Sequence, residues 1–327
     1  MTSICIVGAG VTGLSMLLLL HEAGYDLSKV SIIDPHFDGG DLARRWTAVQ
    51  SNTPWSKTLN ALRATCPSLE LPSLEGTSKL VDIAHLIREL ATPALKQVTQ
   101  IQGVVTQVNY ISDQQIWNVQ YGAQTLSVNK LILAPGGEPK TFDLPISSIP
   151  LEIAIDQSRL KNYVKPGDKA LVFGTLHSGT LVIRNLVAAG ADVTALYNSP
   201  QPFYWDRDGA YDGIKEEAAH IADDIVAGKI AVKLVSNKDI PAVIRASCGA
   251  KWVTYAMGFQ PRLVDISIDG TPRSPTEYNG TTGKMYYGAW GFGIAYPNLA
   301  PDGIHRDVSV AAFLEHMKRQ IPEIAHT

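Results

Sequence analysis

The chain has 327 residues, enough for about two domains of roughly 150 residues each. Apolar residues make up 45% and charged residues 18%, a balance that builds a packed core and excludes a disordered, collagenous or coiled-coil chain. The 28 basic and 31 acidic residues leave a net charge of -3 with no Lys/Arg cluster, so neither nucleic acid nor an anionic membrane is expected as a partner.

The opening segment carries the densest signal. Ser3 to Val7 reads as a short buried strand, and GAGVTGLS, Gly8 to Ser15, follows it directly. A helix is expected to about Ala23, then a second apolar run, Lys29 to Ile33, ends in Asp34, about twenty residues after Gly13. Strand, glycine turn, helix, strand and acid in this order form a dinucleotide fingerprint. Gly8 permits the tight turn, Gly10 lets a pyrophosphate approach the backbone, and Gly13 lets helix and strand pack closely. The helix N-terminus then offers unpaired N–H groups and a partial positive charge to the phosphates, and Asp34 is expected to accept hydrogen bonds from a ribose. The apolar stretch Leu14 to Leu20 is shorter than the roughly 20 residues of a membrane span. It has no basic flank and Gly8, Gly10 and Gly13 precede it, so it reads as part of the fold and not as a signal peptide.

Leu131 to Gly137 (LILAPGG) is an apolar strand ending in small residues, and Trp252 to Arg262 (WVTYAMGFQPR) repeats that pattern; each reads as a crossing between domains. Between them lies a degenerate second copy of the fingerprint. Lys169 to Phe173 is a buried strand, Gly174-Thr175-Leu176-His177-Ser178-Gly179 is the turn, a helix runs to about Ala189, and a strand follows from Asp192 to Leu196. Gly174, Ser178 and Gly179 suit a second dinucleotide, but Leu176 replaces the middle glycine and would crowd a pyrophosphate. A second unit that keeps its fold without its ligand is the competing reading. His177 could touch a phosphate or cap the helix. The strand ends in Tyr197-Asn198-Ser199, which selects neither NADH nor NADPH.

Other chemistries find little support. Cys5, Cys66 and Cys248 show no metal-ligand or redox spacing, and an odd count suits a reducing, cytoplasmic setting. Cys5 falls in the first strand, while Cys66 and Cys248 fall in stretches that read as loops. The histidines show no metal spacing and no Ser-His-Asp elbow stands out, so no metal is expected. The acidic stretch Asp206 to Asp224 reads as a solvated helix face, and the late aromatics Phe203, Tyr204, Trp205, Tyr286, Tyr287, Trp290, Phe292 and Tyr296 suit either a cavity wall or ordinary core.

With these residues in view, the chain resembles the flavoproteins with two dinucleotide-binding domains, the pyridine nucleotide-disulfide oxidoreductase-like superfamily. The fingerprint matches at Gly8, Gly10, Gly13 and Asp34, and Ala134-Pro135-Gly136 and Ala256-Met257-Gly258 stand where that family carries its linker motifs. The resemblance implies an α/β fold: a Rossmann-like FAD domain with an inserted second Rossmann-like NAD(P)-binding domain. It implies an FAD part over 1–145, an inserted part over 146–252 and a return to the FAD part over 253–327. Ala134 and Gly136 would then border FAD. Gly283 to Gly293 is similar to the family's last strand and flavin-facing turn, with Gly288 followed by Ala289 and Trp290 where the family often has Gly-Asp. A helix from about Asp307 to Gln320 would follow.

Within that superfamily the stretch Asp38 to Lys57 (DGGDLARRWTAVQSNTPWSK) is similar to the class B flavin-containing monooxygenases. Trp46 and Trp55 flank Asn52, which matches those enzymes' active-site amide beside flavin and nicotinamide. The absence of a CxxC pair disfavours a thioredoxin-reductase type of activity. The resemblance thus implies an FAD-dependent oxidoreductase, an NADPH- or NADH-dependent monooxygenase acting on a small-molecule substrate. The alternatives are a non-oxygenating NAD(P)H reductase or flavin oxidase, and a noncatalytic flavin-binding regulatory protein with a degenerate nicotinamide site.

Overall fold

The computed structural model describes residues 3–203, 216–300 and 302–325. The chain forms two compact units, one of residues 1–47, 53–138 and 261–327, the other of residues 48–52 and 139–260.

The first unit is built on a five-stranded parallel sheet. Its strands lie in the order Ala289–Gly291, Lys130–Leu133, Ile4–Val7, Val30–Asp34, Thr99–Gln102. Ile4–Val7 is buried at every position, as a central parallel strand covered on both faces must be. Side chains alternate between the faces. Ile4, Ile6, Ile32, Ile132 and Trp290 meet the helices Val11–Glu22, Leu80–Leu95 and Val310–Ala325, whereas Cys5, Val7, Ile33, Leu131 and Leu133 meet a second sheet through Val108, Trp117 and Val119. That second sheet has the order Thr271–Arg273, Asp265–Ile268, Val105–Ile111, Ile116–Tyr121, Gln124–Val128. The helix Val11–Glu22 is buried along most of its length, from Val11 to Leu20, because other helices pack on the side turned away from the sheet.

The second unit repeats the plan. Its parallel sheet has the order Lys233–Ser236, Asp192–Tyr197, Lys169–Phe173, Trp252–Tyr255, Ser147–Ser148. The helix His177–Ala188 follows the central strand as Val11–Glu22 does in the first. Leu171, Leu196, Val235, Val253 and Tyr255 form part of its core.

Several expectations need correction. Besides the short 48–52 segment, the chain crosses between units at 138/139 and 260/261 where 145/146 and 252/253 were expected; the later crossing follows Trp252–Tyr255 because that strand hydrogen-bonds to Lys169–Phe173 in the second sheet. The last helix is Val310–Ala325; Asp307 belongs to a two-residue strand paired with Asn298–Leu299, and Ser309 Oγ accepts from the Ala312 N–H at 3.2 Å to start the helix. Cys248 is an exposed residue of helix Ile240–Gly249 and not of a loop, whereas Cys66 lies, buried, just past the end of helix Trp55–Thr65, where the chain turns out of the helix as expected. Helix Glu217–Val226 holds the end of the acidic stretch with Asp223 exposed; Tyr204, Trp205 and residues 206–215 lie outside the described residues. Among the described residues no helix is long and apolar enough to cross a membrane.

Candidate functional site

The first glycine turn joins Ile4–Val7 to the helix Val11–Glu22 at the carboxyl end of the sheet. Gly8 has φ +98°, and a Cβ there would lie 2.3 Å from the Ala134 carbonyl oxygen. A Cβ on Gly13 would lie 1.8 Å from the Gly8 oxygen. Both positions therefore exclude any side chain on backbone grounds alone. Gly10 differs. Its φ of -73° and ψ of -175° suit any residue, and an added Cβ would meet only the Gly40 Cα, at an ordinary 3.8 Å. The polypeptide does not need glycine at this position, so the space in front of it suits a ligand that comes close to the backbone.

Asp34, at the end of the neighbouring strand, is 7% exposed. Its Oδ2 accepts from the Ala9 N–H at 2.7 Å, and its Oδ1 accepts from the N–H groups of His36 and Phe37 at 2.7 and 2.9 Å. A carboxylate has about four acceptor sites. Three are taken by backbone N–H groups, one from the glycine turn and two from the segment after the strand, so Asp34 ties the glycine turn to the strand end and keeps about one acceptor site beyond these.

The glycine pair after this strand also closes on the turn. Gly39 and Gly40 have φ +99° and +75°, Gly39 forms a backbone bridge with Gly10, and a Cβ on Gly40 would come within 2.8 Å of the Gly10 Cα. Asp41, next in sequence, receives Arg262 at 2.6 Å and lies 3.5 Å from Arg44 and 3.9 Å from Arg45. Arg262 also pairs with Glu138 at 3.1 Å and donates its backbone N–H to the Gly136 carbonyl. Burial lowers the Arg44 guanidinium, which the Asp34 charge partly restores. Sequence reasoning missed this cluster; Arg262 stood in the quoted WVTYAMGFQPR segment, but only the fold brings it to Asp41.

The remaining predicted residues are placed as follows. Ala134 supplies the carbonyl beside Gly8, and Gly136, φ +80°, lies under the Arg262 guanidinium. Trp46 is buried beneath Arg45, whose guanidinium carbon is 5.3 Å from the ring centre. Asn52 is exposed, on the 48–52 segment that clusters with the second unit. Gly288 forms the turn before Ala289–Gly291, an edge strand of the first unit's parallel sheet, its carbonyl accepting from the Leu131 N–H at 2.9 Å, and Trp290 is 1% exposed in the helix-side core. The buried Trp290 indole Nε1 has no hydrogen-bond partner among the described residues. The turn that follows that strand does approach the first helix: a Cβ on Gly293, φ +78°, would collide with the Thr12 side chain. Among the described residues no three His, Cys, Asp or Glu side chains form a metal site.

The second glycine turn is a close copy. Gly174 has φ +101° with its missing Cβ 2.2 Å from the Ala256 carbonyl oxygen, and a Cβ on Gly179 would lie 2.2 Å from the Gly174 oxygen. Gly174 donates to Leu196 at 2.8 Å just as Gly8 donates to Ile33 at 2.8 Å. Leu176 caps the helix, and His177 and Ser178 are its first residues. Burial holds the His177 imidazole below its usual range against the pull of the Gln50 carbonyl and Glu217.

No protein-family profile matches the chain. Over 97% of its length it is 24% identical to the monooxygenase AgnR1 of Paecilomyces divaricatus, covering 96% of that protein. Its fold superposes on the bacillithiol disulfide reductase Bdr of Staphylococcus aureus with a TM-score of 0.65 at 14% identity, over 98% of each chain. OTEMO in complex with FAD and NADP gives 0.62 at 16% identity, over 99% of this chain and 86% of that one. The chain has the fold of the two-dinucleotide-binding-domain flavoproteins. That flavoprotein fold carries more than one chemistry, since thioredoxin reductase of Lactococcus lactis also superposes, with a TM-score of 0.60 at 11% identity over 99% of this chain and 98% of that one.

Proposed function

We propose that the chain is an FAD-dependent oxidoreductase of the monooxygenase type, reduced by NADH or NADPH at the second glycine turn and acting with oxygen on a small organic substrate. The observation that carries the flavin assignment is the contrast inside the first turn: backbone geometry demands Gly8 and Gly13 but not Gly10. Gly8, Gly10, Gly13 and the first N–H groups of helix Val11–Glu22 would hold the pyrophosphate, with Asp34 fixing the turn and Ala134 and Gly136 at its rim. Bound there, FAD supplies electron transfer to oxygen, and the protein supplies position and polarity. Gly174, His177, Ser178 and Gly179 would receive the nicotinamide dinucleotide. Asn52 is the amide proposed to act on the reacting groups.

Two further observations support an oxygen-using enzyme over a disulfide reductase. The relative AgnR1 is named a monooxygenase. Disulfide exchange also needs an accessible thiolate with a partner thiol. Here burial pushes the Cys5 thiol up to about 12, Cys66 is buried, and Cys248 is exposed in the other unit. The exposed side chain of Asn52 favours a second reading, since an oxygen-transfer site excludes water. In that reading the chain is a non-oxygenating reductase or a flavin oxidase.

The test uses holoprotein bleached anaerobically with NADH or NADPH, then given isotopically labelled oxygen and a small organic sulfide as probe. Label in the oxidised sulfide is the expected result. Bleaching followed by release of all oxygen as peroxide, with no label in the probe, would move the assignment to the second reading.

A further inference from the structure

The two glycine turns share one backbone course, and at the middle glycine position of the first the second carries a leucine. Gly8 corresponds to Gly174, Ala134 to Ala256, and Gly13 to Gly179, each with the same forbidden Cβ position. The Leu14 N–H donates to the Gly10 carbonyl at 3.0 Å, and the Thr180 N–H to the Leu176 carbonyl at 2.9 Å. Leu176 adopts φ -80° and ψ -161° where Gly10 has -73° and -175°, so the turn is the same and only the side chain is added. That side chain is 44% exposed. An apolar leucine left in solvent on an otherwise preserved turn gains little from burial. It occupies the space that Gly10 leaves open in the first unit.

The neighbouring groups do not compensate. The Thr175 side chain is turned inward, its hydroxyl donating to the Pro202 carbonyl, and the residue is buried. The His177 ring is drawn to the Gln50 carbonyl, and its buried Nδ1 has no hydrogen-bond partner.

We propose that Leu176 is an affinity-determining residue of the second unit: it holds the pyrophosphate of a nicotinamide dinucleotide away from the helix N-terminus, so that the chain takes its reductant weakly and a glycine there restores tight binding. The inference rests on the reading that the second unit is the nicotinamide site. Removing the side chain costs the fold little, because Leu176 is exposed and its backbone conformation is open to any residue.

The experiment is an anaerobic titration of FAD-loaded wild type, Leu176→Gly and Leu176→Ala with NADH and with NADPH, following the bleaching of the flavin bands. The expected result is a Kd lower by about tenfold or more in Leu176→Gly, with Leu176→Ala between. FAD content and the limiting rate of bleaching should be unchanged, a split between affinity and rate that general damage to the unit would not produce. Equal Kd values in wild type and Leu176→Gly would overturn the inference while leaving the second unit as the nicotinamide site. Flavin that neither nucleotide bleaches in any of the three proteins would overturn the nicotinamide reading, and the inference with it.

Discussion

Gly10→Ala separates folding from flavin binding. An added Cβ at Gly10 lies 3.8 Å from the nearest heavy atom, in a backbone conformation alanine adopts freely. Stiffening the unfolded chain stabilises by about 0.4–1 kcal/mol, and a poorer helix N-cap costs about as much, so the apoprotein should stay within about 1 kcal/mol of wild type. At Gly13 the same atom would sit 1.8 Å from the Gly8 oxygen, which forces the helix away from the strand and costs about 1–3 kcal/mol or more. A pyrophosphate seated against Gly10 meets the new methyl with a similar overpacking cost, which is about five- to 150-fold in FAD affinity. Urea unfolding of the apoproteins and fluorescence titration with FAD measure the two quantities. Wild-type FAD affinity in Gly10→Ala would refute the placement of the pyrophosphate, and loss of stability equal to that of Gly13→Ala would refute the account of the turn.

Three further outcomes follow from named groups. Asp34→Asn turns one acceptor oxygen into a donor facing a backbone N–H, so it should lose about 1–3 kcal/mol in urea unfolding; a change below about 0.5 kcal/mol would mean the carboxylate does not hold the turn. His316 is 1% exposed, and burial with the Arg319 charge beside it pushes its imidazole down to about 4, against the pull of the Thr281 carbonyl. The folded state therefore takes up its proton later than the unfolded chain, whose histidine titrates near 6.5. The contribution is whole above that pH and is lost as pH falls toward 4, by up to about 3 kcal/mol. His316→Met should flatten that slope, and an unchanged slope would assign it to other groups. Asn52→Ala should leave FAD bound but raise the peroxide released per nicotinamide consumed; unchanged coupling would leave Asn52 as a turn residue before Pro54.

Both glycine turns were legible in the sequence because their requirements are local. Gly8, Gly13, Gly174 and Gly179 sit at fixed offsets from buried strands; Gly13 and Gly179 are demanded by the Gly8 and Gly174 carbonyls of their own turns, and Gly8 and Gly174 by a positive φ that the turn imposes, while the Ala134 and Ala256 carbonyls beside them come from the fold. The end of the second unit was not legible. Trp252–Tyr255 reads equally well as a strand of either sheet, and only its register beside Lys169–Phe173 decides. The role of Asp34 was half legible: its place at the strand end was evident, but the inward turn of its carboxylate depends on the backbone of His36 and Phe37. Arg262 and Asp41, far apart in the chain, become a pair only through the fold. The helical position of Cys248 was hidden by Pro241 near the start of its helix, which reads as a loop signal until the Asp239 side chain is seen accepting the Ala242 N–H at 3.1 Å.

The central claim is that the first glycine turn holds FAD. The most direct measurement is the absorbance spectrum of the purified protein, with the released cofactor counted against protein after denaturation. Flavin bands with about one FAD per chain, reduced or lost in Gly10→Ala, are the predicted result. A colourless protein that takes up no FAD on reconstitution would contradict the assignment from Gly8 onward.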